Sequence, residues 1–285
     1  MFIFIGAFIV IGSIITGYVL EGGHILALYQ PLELLIIGGA ALGSMVIANP
    51  INVIKGAISQ FTGIMGSGYT KKDYQDLLVM MFEIFNIARK DGLIGLEAHV
   101  EHPEDSEIFK RYPKFLKNHH AVSFFADTMR VVISGAVQPH DLEDLMNNDI
   151  DSLIEEELHP SHALNTVSDS LPGLGIVAAV LGIVITMGAI DGPPEEIGHK
   201  VGAALVGTFL GILMCYGFLG PIAANMKFRV NEDMQYISCM KHALLSFNKG
   251  VAGVISVEFA RRTLFADVRP SFTELEDACN ETKRK

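Results

Sequence analysis

Four of the ten histidines stand in pairs three residues apart, His99 with His102 and His159 with His162, a spacing that puts two imidazoles on one helix face. A metal site needs three or four ligands, and no third one sits at a recognisable spacing, so no metal is expected. Cys215 falls in an uncharged stretch, while Cys239 and Cys279 have no metal-like spacing, and no disulfide framework is implied. A phosphate loop and a convincing nucleophile and base pair are also missing, which points away from an enzyme and from a bound cofactor. What is left is backbone and ion chemistry. Pro172 and Pro221 each remove a helical hydrogen bond, leaving the carbonyls of Ser168 and Gly217 to find other partners, and Gly217 and Gly220 soften the second site. The two prolines read either as a hinge or ion exit, or simply as markers of span ends. Thr208 and Thr186 either bond back to the backbone four residues earlier or, facing a cavity, hold a water or an ion.

The elements that carry these residues are set by charge placement. Phe2 to Leu20, Leu34 to Ile54, Ser170 to Ile190 and Val201 to Met226 contain no Asp, Glu, Lys or Arg. Each can cross a bilayer core, which needs roughly 20 apolar residues at the helical rise. The first run lacks a basic leader and an obvious cleavage site, and reads as a retained helix. Of 21 Lys and Arg, ten lie between Lys55 and Arg130 and ten between Lys227 and Lys285, so these segments and both termini are expected inside. Glu21 to Glu33 and Asp191 to Lys200 then become short outer loops. The expected fold is all-α, a polytopic membrane protein with four transmembrane helices and a helical cytoplasmic domain. Its parts are residues 1–54 (helices 1 and 2), 55–169 (cytoplasmic), 170–226 (helices 3 and 4) and 227–285 (cytoplasmic tail).

The cytoplasmic insertion shows helical periodicity. Thr70 and Asp73 make a capping-box-like start, apolar residues from Leu77 to Ala88 recur at helical spacing, and Gly92 stops the pattern. A second helix is expected from about Ala121 to Ile133, ending at Gly135, and a third, acidic one after Pro139 through Ile154. The stretch Asn231 to Phe247 is amphipathic and suits the same bundle. Between Lys55 and Asp169, 19 acidic residues face ten basic ones, within a net charge of -11 for the whole chain. That balance argues against nucleic acid as a partner.

A protein that carries ions through hydrocarbon normally holds an ionisable group there, and none of the four runs contains one. Either the chain transports nothing or a partner helix supplies the carboxylate. Small residues cluster in the spans, at Gly38 to Ser44, Gly173 to Gly182 and Gly202 to Gly211, as needed for close helix approach.

Several stretches resemble the MotA family of flagellar stator subunits. These are Leu171-Pro-Gly-Leu-Gly-Ile-Val-Ala-Ala-Val-Leu-Gly182, Val206-Gly-Thr-Phe-Leu-Gly-Ile-Leu213, Tyr216-Gly-Phe-Leu-Gly-Pro221, Val257-Glu-Phe-Ala-Arg-Arg-Thr-Leu264 and Arg269-Pro-Ser-Phe272. Gly22 to Pro31 and Ser106 to Phe109 fit the same family. The resemblance implies a bacterial inner-membrane protein, five copies around two single-span MotB-like chains whose aspartate supplies the missing carboxylate, with lipid around them. It implies that Pro172, Ala179 and Thr208 face the ion path with Pro221 at its inner end. It also implies that Arg89 and Glu97 meet the rotor protein FliG, although the residues alone read as solvated charges at a helix end. Sodium-driven relatives carry threonine at the position matching Ala179, so a proton is the expected ion. The rival expectations are an energy transducer of the ExbB or TolQ type, which usually has three spans, and a passive membrane scaffold.

Overall fold

The computed structural model describes residues 2–66, 68–135, 137–188 and 190–283. Among these residues all regular structure is helical, and four helices are long and apolar enough to cross a membrane. The chain divides into two compact units, Met1–Ser67 with Glu157–Arg229, and Gly68–Glu156 with Val230–Lys285.

The first unit begins with α1 (Phe2–Leu20), which is apolar on every side and buries no residue; Phe2 is 83% exposed and Phe8 79%. In water such a surface would be strongly unfavourable, at about 25 cal/mol per Å² of apolar area, so its natural solvent is lipid. Pro31 opens α2 (Pro31–Ala48), where its missing N–H costs nothing. The uncharged run from Leu34 to Ile54 is not one helix. Asn49, which precedes Pro50, is extended at φ −130°, and α3 (Ile51–Gly63) starts afresh. Gly56 of α3 leaves room for the Pro160 ring, since a Cβ there would lie 2.9 Å from Pro160 Cγ. Gln60 donates to the Glu157 carbonyl at 2.9 Å.

In the second unit, α4 (Lys71–Asp91) starts on the expected capping box: Asp73 N–H donates to Thr70 Oγ1, and Thr70 N–H to Asp73 Oδ2 at 2.7 Å. It stops at Gly92, whose φ of +80° suits a residue without Cβ. Short helices α5 (Glu97–Glu101) and α6 (Pro113–Lys117) follow, then α7 (His119–Ser134), capped by Asn118 and ended by left-handed Gly135. Phe109, Phe115 and Phe125 form an aromatic knot with ring centroids 5.0 to 6.0 Å apart. Buried Glu83 accepts a bidentate pair from Arg111 and a third bond from Tyr112 Oη at 2.9 Å. A buried carboxylate needs that full complement of donors.

The longest elements differ from expectation. The acidic helix and the third span are one helix, α8 (Pro139–Met187), which passes through Pro160 and Pro172 unbroken. Proline frees one carbonyl and clashes with one turn, which bends a helix without ending it when neighbouring helices hold it. Likewise α9 (Pro194–Leu213) leads through a π-helical stretch, Met214–Leu219, into α10 (Gly220–Asn248). The start of α9 at Pro194 takes Glu195 and Glu196 out of the expected outer loop and into its first turn, where the helix dipole favours acids.

Two last helices, α11 (Gly253–Arg262) and α12 (Phe272–Lys283), complete the second unit. Gly253 brings α11 onto α4, with Phe85 Cβ 3.2 Å from where its own Cβ would be. Glu258 accepts from Arg261 Nε and Nη2 and from Arg262 Nε at 2.6 to 2.8 Å. Arg261 in turn reaches the Pro270 carbonyl, and Arg269 the Leu264 carbonyl. These bonds account for the charged half of two of the sequence stretches quoted above.

The hydrogen bonds from Arg261, then from Arg262, hold the Glu258 carboxyl at about 2, below its ordinary 4.5. A depressed carboxylate stabilises the fold above the unfolded value, and that contribution is lost as pH falls through the folded value. Glu258→Gln is expected to destabilise the solubilised chain by about 1–3 kcal/mol at neutral pH. By thermal melting, the gap between the two proteins should be constant above 4.5 and close between 4.5 and about 2. A gap that does not change with pH would show that this ion cluster is not what the substitution removes.

Candidate functional site

The centre of the first unit is a crossing of α8 and α9 at backbone distance. A Cβ on Gly211 would lie 2.5 Å from the Leu171 carbonyl, and one on Gly175 would lie 2.9 Å from the Gly207 carbonyl and 3.2 Å from Thr208 Cα. A Cβ on Gly182 would lie 2.8 Å from Ala204 Cβ. Leu171, Gly175, Ala178 and Gly182 thus form one stripe of α8, repeating every three or four residues. Its packing gain is dispersion between backbones, which small residues permit.

Pro172 and Ala179 each follow a residue of this stripe and are two turns apart, so they share the adjoining face and are half-buried. Thr208 stands beside Gly207 on α9, also half-buried. The crossing therefore gathers three of the four residues singled out for the ion path. Thr186 donates to the Gly182 carbonyl at 2.8 Å, the local use open to any helical threonine.

Pro221 is on α10, two residues past the π-helical stretch, and is exposed. The carbonyl that gains a side-chain partner here is that of Cys215, rather than that of Gly217 or of Ser168. Gly220 N–H donates to it, and Ser168 Oγ donates to it at 3.2 Å and contacts Cys215 Sγ at 3.5 Å. A Cβ on Gly220 would lie 3.0 Å from the same carbonyl and 3.4 Å from Ser168 Oγ. The wide turn before Pro221 and the segment before Pro172 are thus tied by one buried serine, a residue that the sequence marked only for its carbonyl. π-helical turns within longer helices are frequent at functional sites.

The absence of an ionisable group from the spans needs correction. Glu33 is not in the outer loop; it occupies the first turn of α2, is 9% exposed, and points its Oε2 at Gly207. Counting charge-free runs hid it, because the run began one residue later. Pro31 was the available signal, since proline favours the first helical position.

Arg89 and Glu97 belong to the second unit, at the last turn of α4 and the first residue of α5. Both are exposed and neither is ion-paired among the described residues. Between them Gly92 turns the chain and Ile94 is 78% exposed, so the two charges flank an apolar tip. His99 serves the core beside them: its Nδ1 shares a hydrogen bond with Ser106 Oγ at 2.8 Å, and burial pushes the imidazole below its ordinary value. Ser106 also accepts from Phe109 N–H, which explains the Ser106 to Phe109 stretch structurally. His159 and His162 are exposed on α8, and no group of three metal-ligating side chains occurs among the described residues.

The crossing makes a steric prediction. Gly211→Ala presses a methyl on the Leu171 carbonyl and is expected to cost about 1–3 kcal/mol, whereas Gly173→Ala, with open space around it, should be neutral. Resistance of the membrane-inserted chain to heat and detergent measures the difference. Equal resistance would mean that α8 and α9 do not approach this closely.

Residues 4–92 match the Motility protein A N-terminal family, and residues 116–238 match the MotA/TolQ/ExbB proton channel family. The chain is 42% identical to motility protein A of Salmonella typhimurium, over 97% of this chain and 94% of that one. It is 37% identical to chemotaxis protein LafT of Vibrio parahaemolyticus, over 96% of each. Its fold is similar to the solved structure of MotAB from C. jejuni, with a TM-score of 0.77 over 94% of this chain and 98% of that one at 20% identity. The flagellar MotAB stator complex of Bacillus subtilis gives 0.74 over 96% and 98% at 23% identity. The extent and identity of these matches, running through the α8–α9 crossing and the spans around it, place the chain in the motility protein A family.

Proposed function

We propose that the chain is the multi-pass subunit of a bacterial flagellar stator, which joins a MotB-like single-span partner in a proton-conducting complex and turns ion flow into torque. The match to motility protein A over 97% of the chain carries this reading. The chain lies in the inner membrane with both termini inside, and five copies surround two partner chains in lipid. Exposed apolar surface on α1 and α8 supports an assembly of this kind, since a lone copy leaves Val184 63% and Phe8 79% exposed.

In this reading Pro172, Ala179 and Thr208 line the ion path, and Pro221 marks its inner end. A proton arriving from outside loads the partner's carboxylate, and its departure inward shifts the packing of α8 against α9. Each charge that crosses is worth about 2.3 kcal/mol per 100 mV. The glycine crossing suits such work: it is stiff in separation, because backbones already touch, while the π-helical stretch offers one place where register can change.

Torque leaves through the second unit, where Arg89 and Glu97 meet FliG. Their exposure and lack of intramolecular partners support that role, because unpaired surface charges are free to steer another protein. Arg89→Glu and Glu97→Lys are each expected to cut swimming at least about tenfold without reducing membrane assembly, and an opposite charge on FliG should partly restore it. Normal swimming in both single reversals would remove this surface from the mechanism.

The ion follows from Ala179. Sodium needs several oxygen ligands, whereas a proton needs a carboxylate and a chain of water, and Ala179 offers no side-chain oxygen. Swimming speed should be indifferent to sodium at constant pH and ionic strength and should stop on addition of a protonophore. Speed that rises with sodium and survives the protonophore would refute proton coupling.

A further inference from the structure

The carboxyl of Glu33 is the one buried acid that the proposed mechanism leaves unused in the first unit. Its side chain is more than nine-tenths buried, and Oε2 is closed off from solvent without a hydrogen-bond partner among the described residues. Gly207 makes the recess it occupies: a Cβ there would lie 2.8 Å from Oε2, and Ala178 Cβ bounds the same space at 3.3 Å. No ion pair involves Glu33 among the described residues. An isolated carboxylate in apolar surroundings is so unfavourable that the group binds a proton instead. Polar side chains inside a membrane without such a reason are rare.

A cavity of about 410 Å³ lies at the end of α9 that follows the outer loop, lined by Tyr18, Gln30, Glu195, His199, Ala203 and Val206. Gln30, the cap of α2, is three residues before Glu33, and Val206 immediately precedes Gly207, so two residues of the cavity lining adjoin the recess in the chain. On the far side, Thr208 follows Gly207 and packs on Gly175 of α8.

We propose that Glu33 is a proton relay of this chain, placed between an outer, water-accessible cavity and the α8–α9 ion path. In each passage the carboxylate takes a proton from hydronium in the cavity and returns it to a water on the path side; no other bond changes. This rests on the stator reading given above. It differs from it in placing a protonatable group in the chain itself, ahead of the partner's carboxylate. Glu195 and His199 at the mouth are positioned to concentrate protons there and make no direct contact with the relay.

The test uses the chain co-purified with its MotB-like partner and reconstituted in lipid vesicles with a trapped pH-sensitive dye, with and without sodium. Wild-type complex should take up protons down an imposed gradient, and Glu33→Gln should slow uptake at least about tenfold with the complex intact by mass, while Glu33→Asp keeps part of the rate. A protonated-carboxyl infrared band should be present in wild type and absent in Glu33→Gln. Equal uptake by wild type and Glu33→Gln overturns the relay, as does uptake by wild type that requires sodium. Failure of wild type itself to conduct overturns the stator reading instead, and the infrared band then decides whether Glu33 holds a proton. Should Glu33→Gln not assemble, the band is assigned by its shift in Glu33→Asp, and its absence from wild type at every pH overturns the proposal.

Discussion

The contact between the backbones of α8 and α9 is what the rest of the first unit depends on. Where Gly211 meets the Leu171 carbonyl and Gly175 meets Gly207, no side chain separates the helices. In lipid there is little hydrophobic force to drive helices together, so close dispersion contact must do it. Glycine in a helix interior is unfavourable by roughly 0.5–1 kcal/mol relative to alanine, and each of these glycines is justified by what it allows to approach. At Gly207 the same lack of a side chain opens the recess for Glu33, so one residue serves both the crossing and a buried acid.

The polar exceptions in the first unit are consequences of that closeness. Ser168 donates to Cys215 because the segments carrying them have been brought together, and a carbonyl in a wide helical turn would otherwise lack strong partners. Ile37, Ala41, Val167, Leu171, Ala178 and Cys215 form the buried core around it. Much of the apolar surface outside that small core is exposed, on α1 most of all. Apolar surface of this kind is suited to lipid rather than to water.

The second unit follows the rules of a water-soluble core. Buried Glu83 and half-buried Glu258 are both held by arginines, and helices begin on caps, as at Thr70 and Asn118. That leaves the unpaired charges at its surface as the informative ones. Arg89 and Glu97 stand at the tip where α4 ends, held by a glycine turn and by the Ser106, His99 and Phe109 knot beneath.

Local features were legible in the amino-acid order because they are made by residues close together in it. The length of the apolar runs, the caps at Thr70 and the stops at Gly92 and Gly135 need only a few neighbours, and the all-α membrane class follows from them. The break before Pro50 was equally local, but a charge-free run conceals it. Small-residue clusters announced that helices would approach closely, without saying which. Tertiary structure alone decided that Pro160 and Pro172 lie inside one unbroken helix. It alone paired Ser168 with Cys215 and Glu33 with Gly207, groups far apart in the chain. A proline's effect and a carboxylate's environment are properties of what surrounds them, and those surroundings exist only after the helices have packed.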